Sequence, residues 1–252
     1  MSVQIDMSGR RAIVTGGGSG IGEAIVKRLA EAGAAVAVAD LFGDRAERVA
    51  SEVLQTGGQA VAVQVDVTSV PSVEQMHAKV EEELGGVDVL INNAGAWTLK
   101  WFTQMDPAEY NRDIDVCLYG TMHCTRVCLP GMIERKYGRI VNTISDAGKV
   151  GEPTMTVYSA AKAGVAGFTK ALAKEVGRYS ITVNGFSPGT TRTPGNADIR
   201  ADWDEEKVVK LYPLRRLGET IDHANAVLFL ASDLSGWITG QILSVSGGYT
   251  TV

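Results

Sequence analysis

Short apolar runs alternate with longer amphipathic stretches along almost the whole chain. Runs near 11–15, 35–39, 60–65, 87–91, 138–144, 181–186 and 241–245 have the length and the small or β-branched content of buried strands. Stretches near 20–32, 43–56, 70–84, 107–134, 156–179 and 220–231 place apolar residues at helical spacing. Strand and helix in strict alternation predict a parallel sheet of about seven strands with helices on both faces, a doubly wound α/β architecture. In such sheets ligands bind outside the carboxyl ends of the strands, so residues that close a strand are the first to inspect for chemistry.

Arg11-Ala12-Ile13-Val14 runs into Thr15-Gly16-Gly17-Gly18-Ser19-Gly20-Ile21-Gly22, after which Ala24, Ile25, Leu29 and Ala30 recur at helical spacing. A turn poor in Cβ atoms lets the backbone approach a pyrophosphate, and the first N–H groups of the following helix supply donors and a positive dipole end. The strict G-x-G-x-x-G spacing is absent; the glycines fit T-G-x-x-x-G-x-G. Farther on, Tyr158 and Lys162 are four residues apart on a predicted helix, and Ser145 closes an apolar run thirteen residues before the tyrosine. Residues i and i+4 share a helix face, so an ammonium can lie beside the phenol and favour its anion, while a serine on a facing strand holds a substrate oxygen.

With these pieces in this order the chain resembles the short-chain dehydrogenase/reductase family over nearly its whole length. The resemblance rests on the turn at 15–22, Asp40 ending the second strand, Asp66-Val67 after the third, Asn92-Asn93-Ala94-Gly95 after the fourth, Ser145, Tyr158, Lys162, and Pro188-Gly189 followed by Thr193. It implies a Rossmann-like fold and an oxidoreductase interconverting a secondary alcohol and a ketone by hydride transfer to or from a nicotinamide dinucleotide. Tyr158 would be the acid/base, Lys162 would lower its pKa and bind the nicotinamide ribose, and Ser145 would hydrogen-bond the carbonyl oxygen. The dinucleotide would be held by Gly16, Gly18, Ser19, Gly20, Ile21, Gly22, Asp40, Asp66, Val67, Asn93, Ala94, Gly95, Tyr158, Lys162, Pro188, Gly189, Thr191 and Thr193. Asp40 can accept hydrogen bonds from an adenosine ribose and would repel a 2′-phosphate, and the glycine turn carries no Arg or Lys, so NAD is favoured over NADP. In one position the chain departs from the family pattern: Cys117 stands where the family usually has an asparagine that holds a water linking the lysine to solvent.

Composition narrows the picture further. The 252 residues, 45% of them hydrophobic, suffice for one domain spanning 1–252, with no linker, repeat or low-complexity block. The polar patch at 196–207 fits a loop, and the resemblance makes the segment around 190–215 a substrate lid. A net charge of -5 argues against a nucleic-acid partner. The opening residues lack the basic and apolar regions of a signal peptide and no run is long enough to span a bilayer, so a cytoplasmic protein without membrane contact is expected. Cys117, Cys124 and Cys128 fall on one predicted helix beside His123; a buried stripe of small hydrophobes is the reading favoured over a metal site, and no metal is expected.

The substrate is the least determined element. Trp97, Leu99, Trp101 and Phe102 follow the fourth strand, and Trp203 and Tyr212 lie in the 190–215 segment, suggesting an apolar pocket that includes Trp97 and Tyr212. The stretch Ser145-Asp146-Ala147-Gly148-Lys149 is similar to that of family members acting on alicyclic hydroxyacyl-CoA thioesters, which would set Lys149 or Arg192 against an anionic part of the substrate. A cyclic alcohol or a 3-hydroxyacyl-CoA thioester follows as the expected substrate. An NADPH-dependent 3-oxoacyl carrier-protein reductase and a dinucleotide-binding sensor or scaffold without chemistry are the alternatives. The resemblance also implies a homotetramer in which the helices around 107–134 and 156–179 pair across two-fold axes.

Overall fold

A computed structural model describes residues 5–251; the reading of Met1–Gln4 as free of a signal sequence lies outside them. Seven strands form one sheet: β1 (Arg11–Thr15), β2 (Ala35–Asp40), β3 (Gln59–Gln64), β4 (Val89–Asn92), β5 (Gly138–Thr143), β6 (Ile181–Pro188) and β7 (Ile242–Val245). Their order is β3-β2-β1-β4-β5-β6-β7, and every pair is parallel. The doubly wound fold expected from the alternation is therefore the fold observed.

Two-residue alternation divides the strand side chains between two cores. Ala12, Val14, Val36, Val38 and Ile91 face α1 (Gly20–Glu31), α2 (Gly43–Gln55) and, late in the chain, the helix Thr220–Ala231. Ile13, Ala37, Val61, Val63 and Leu90 face the opposite way, toward α3 (Val70–Leu84) and the helices that precede β5 and β6. Covering both faces is what makes these strands near-continuous apolar runs. The direction of winding reverses between β1, whose crossovers run outward to β3, and β4, whose crossovers run outward to β7. The carboxyl ends of β1 and β4 thus diverge to a crevice, the position at which such sheets bind ligands.

The long helix expected over 107–134 is interrupted. α4 (Pro107–Ile114), started by a reciprocal cap between Asp106 and Glu109, passes through a widened turn at Asp115–Tyr119 into α5 (Gly120–Arg135). In that turn the Gly120 N–H donates to the Asp115 carbonyl, five residues back. No proline stands within Asp115–Tyr119 to mark the inserted residue, so the pattern alone did not show the break. Beyond β5 come the single turn α6 (Ala147–Val150) and α7 (Thr156–Val176); residues 177–179, expected to continue that helix, tighten into a 3-10 turn. The 190–215 segment holds a 3-10 turn at Pro194–Asn196 and the short helices α8 (Ala197–Ala201) and α9 (Glu205–Val209), followed by α10 (Thr220–Ala231). It is tied down by a bridge between Thr191 and Gly218 and by Arg192, which pairs with both Glu205 and Glu219. Among the described residues no helix is long and apolar enough to cross a membrane.

Candidate active site

α7 carries Tyr158 and Lys162 one turn apart on its inward face, beside the end of β5. Lys162 is 2% exposed, and its ammonium donates to the Thr143 carbonyl at 2.7 Å while lying 5.7 Å from the centre of the Tyr158 ring. The lysine thus sits beside the phenol ring but spends this hydrogen bond on the backbone of β5. Close approach is possible because α6 presents Gly148, where a Cβ would stand 2.7 Å from that of Lys162. Burial lowers the Lys162 pKa, with Cys117 opposing, and pushes the Tyr158 phenol well above the usual tyrosine range, while the nearby Ser145 hydroxyl favours the anion. The resting side chain is therefore a neutral phenol, a proton donor.

Cys117 projects from the widened turn into this neighbourhood. Its thiol is buried and donates to the Ala96 carbonyl at 3.1 Å, and its own carbonyl accepts the Thr121 hydroxyl at 2.9 Å. Cys124 and Cys128 are also free and buried, and burial raises the pKa of both thiols.

A cavity of about 570 Å³ runs along the carboxyl edge of the sheet from β2 to Tyr158 and Lys162. Its floor is backbone. Asn93 donates from its amide to the carbonyls of Thr15 and Gly16, and the Thr15 hydroxyl accepts from the N–H groups of Asn93 and Ala94, so the turns after β1 and β4 are locked together. A Cβ at Gly22 would stand 2.0 Å from the Gly16 carbonyl, which excludes any side chain at that position. Asp40 closes the far end; its two oxygens accept from the N–H groups of Gly18 and Phe42 at 2.9 and 3.0 Å. A long cavity with a glycine floor, a helix N-terminus and a carboxylate at one end fits a dinucleotide. Of the residues the sequence singled out, Gly16, Ser19, Gly20, Ile21, Gly22, Asp66, Val67, Asn93, Ala94, Gly95, Pro188 and Thr193 line it. Gly18 acts through Asp40 instead, and Gly189 and Thr191 face a second cavity. Phe42 and Arg45 line the Asp40 end as well, the guanidinium 4.2 Å from the centre of the Phe42 ring. Sequence reasoning missed both, because the resemblance stops at the strand-closing acid and nothing local aims an α2 arginine back at β2.

The second cavity, of about 390 Å³, adjoins the first, and Ile21, Trp97, Tyr158, Pro188 and Thr193 line both. Ser145, Tyr212 and Trp203 line it as expected from sequence. Lys149 does not: its ammonium crosses to the sheet edge and donates to Ser244 at 2.7 Å. Arg192 is likewise absent from the lining, its guanidinium held by Glu205 and Glu219. The carboxylates that do line the cavity, Asp146 and Glu152, were not singled out as site residues; Asp146 is legible only as the residue after Ser145, and Glu152 carries no local signal at all.

Residues 16–250 match the family described as Enoyl-(Acyl carrier protein) reductase. The chain is 39% identical over 239 residues to (2S)-[(R)-hydroxy(phenyl)methyl]succinyl-CoA dehydrogenase subunit BbsD of Thauera aromatica, covering 95% of this chain and 96% of that one. It is 36% identical to the 3-oxoacyl-(acyl-carrier-protein) reductase FabG of Aquifex aeolicus, covering 98% and 99%. A crystal structure from Sinorhizobium meliloti 1021, provisionally assigned as a short-chain alcohol dehydrogenase, superposes with a TM-score of 0.93 at 37% identity over 97% of both chains. The chain belongs to the short-chain dehydrogenase/reductase family of oxidoreductases, enzymes that act on CH–OH groups with a nicotinamide dinucleotide.

Proposed function

We propose that the protein is an NAD-dependent dehydrogenase that interconverts a secondary alcohol and a ketone, with a cyclic alcohol as its substrate. The observation that carries this reading is the position of Tyr158 where the two cavities meet, with Ser145 on the substrate side and Lys162 on the dinucleotide side. A nicotinamide dinucleotide held along the first cavity supplies the hydride donor or acceptor. Ser145 and Tyr158 together hold a carbonyl oxygen placed between them, and the neutral phenol delivers a proton as that oxygen gains charge. In the oxidative direction the phenol must first lose its proton, which the Lys162 ammonium beside the ring favours. Gly16, Gly20 and Gly22 would leave room for the pyrophosphate, and Asp40 would accept ribose hydroxyls.

The segment 190–215 acts in this reading as the lid of a single catalytic domain, and a homotetramer in the cytoplasm completes it; the apolar groove of α5 and α7 lined by Met122, Leu129, Ile133 and Phe168 offers a subunit face. The acyl-CoA variant of the substrate draws support from the Thauera relative but none from the cavity lining, which Lys149 and Arg192 do not join. A second reading, the NADPH-dependent 3-oxoacyl carrier-protein reductase, is favoured by the Aquifex relative and by Arg45, a cation at the ribose end. Asp40 at the same end opposes it. Nicotinamide absorbance, followed with NAD and with NADP against cyclic alcohols, hydroxyacyl thioesters and the corresponding ketones, tests both. Turnover of a cyclic alcohol with kcat/KM higher for NAD is the expected result, and a clear NADP preference with an acyl thioester would replace the first reading by the second.

A further inference from the structure

The substrate-side cavity has an unusual balance of charge. Two carboxylates, Asp146 and Glu152, line it, and none of its lining residues is Lys, Arg or His. Among the described residues neither carboxylate belongs to an ion pair, whereas Asp204, Glu205, Glu219 and Asp222 in and beside the 190–215 segment do. Glu152 accepts the Tyr249 hydroxyl at 2.7 Å, a neutral partner that occupies one carboxylate oxygen and leaves the charge in place. Asp146 is 4% exposed; one oxygen accepts the hydroxyls of Ser187 and Thr250 at 2.9 and 2.8 Å, and the other is buried with no partner. A buried acceptor left unmatched is costly, so this oxygen calls for a donor. Around the acids stand aromatic walls: Trp97, Trp203, Tyr212 and Tyr249, the last two stacked at 5.2 Å between ring centres. Aromatic faces beside carboxylates attract cations and the C–H faces of polyhydroxylated rings and repel anions.

Resting on the reading of the enzyme as a secondary-alcohol dehydrogenase, we infer that this cavity selects substrates bearing a hydrogen-bond-donating group, hydroxyl or ammonium, apart from the reacting carbinol. Glu152 is the acceptor facing that group, with Asp146 as a second acceptor deeper in the wall, and a carboxylate or phosphate in the same place is rejected. This sets the chain apart from the Thauera relative, whose named substrate is a substituted succinyl-CoA.

The test uses cyclohexanol and three derivatives that carry, across the ring, a second hydroxyl, an amino group or a carboxylate. Against cyclohexanol, the hydroxyl and amino compounds should gain about tenfold in kcat/KM and the carboxylate should lose about 10²-fold. Glu152→Gln keeps the shape and the acceptor for Tyr249, and should shrink the ratio of amino to carboxylate compound by about tenfold, mostly through KM. Isothermal titration of the same compounds into the NADH-loaded protein should give the same order whether or not they react. Equal use or binding of the carboxylate and amino compounds overturns the inference, as does an amino-to-carboxylate ratio unchanged in Glu152→Gln, or a failure of both the amino and hydroxyl compounds to bind. If none of the rings is oxidised, the proposed activity falls, and the order of binding still decides the selectivity.

Discussion

The two cavities that meet at Tyr158 are built differently. The dinucleotide side is made of strand ends and the turns that leave them, and its shape is held by hydrogen bonds to backbone: Asn93 to Thr15 and Gly16, Gly18 and Phe42 to Asp40. The substrate side is made of side chains on segments far apart in sequence, from Ile21 to Tyr249, joined by side-chain contacts such as Tyr249 to Glu152. A site of backbone presents nearly the same surface whatever the neighbouring side chains are, so it suits a cofactor common to many enzymes. A site of loop side chains changes with each substitution and carries the specificity.

The largest effect should come at the junction. Tyr158→Phe removes the proton donor shared by both cavities and should lower kcat by a factor of 10²–10⁴ or more, with dinucleotide affinity by titration nearly unchanged. A kcat near that of the wild type would separate the chemistry from the junction and break the comparison.

Next in size is an acid sensitivity placed on the substrate side. His223 of α10 is fully buried, its Nε2 2.6 Å from the Thr191 hydroxyl at the base of the 190–215 segment, and burial pulls its pKa from 6.5 down to about 4. The unfolded chain takes up this proton below pH 6.5 and the folded one only near pH 4. The contribution to stability is therefore full above pH 6.5 and is lost as the pH falls toward 4, by about 3 kcal/mol. His77, which burial also shifts down, adds in the same direction. Urea unfolding of wild type and His223→Gln through this window should show a shallower loss in the variant; parallel losses would remove His223 from the account.

A smaller effect tests the dinucleotide side. Asp40→Ala removes the carboxylate that repels a 2′-phosphate while leaving Arg45, so the ratio of kcat/KM for NAD over NADP should fall on the order of tenfold. An unchanged ratio would mean that the backbone frame alone chooses the cofactor. The smallest expected change is at Cys117, whose thiol is already committed to the Ala96 carbonyl and anchors water poorly. Cys117→Asn should raise kcat about two- to threefold and reduce the solvent isotope effect, with NAD affinity little altered. If the folded variant keeps wild-type values of both, the side chain has no part in moving protons from Lys162 to solvent.

The contrast between the cavities is also a contrast in legibility. The strands were readable to within two residues at every end, because apolar runs and their turn residues act over a few neighbours, and the glycine turn, Asp40 and Asn93 were readable with them since each closes a strand or directly follows one. The Tyr158/Lys162 pair was readable because helical spacing alone sets the two on one face. The widened turn at Asp115–Tyr119 was not, since no proline marks the inserted residue. Lys149 was expected in the substrate pocket and lies instead on Ser244, a partner 95 residues away that no local pattern could supply.

What the sequence determined by itself was the main strands and helices and their parallel arrangement, consequences of short-range sterics and of residue types repeated at fixed spacing, with Ser145, Tyr158 and Lys162 marked out through the family resemblance. Only the tertiary structure decided which side chains surround the substrate. Arg45, Asp146, Glu152 and Tyr249 reach their cavities because separate strands end side by side, and which loops then face one another depends on the packing of the whole sheet.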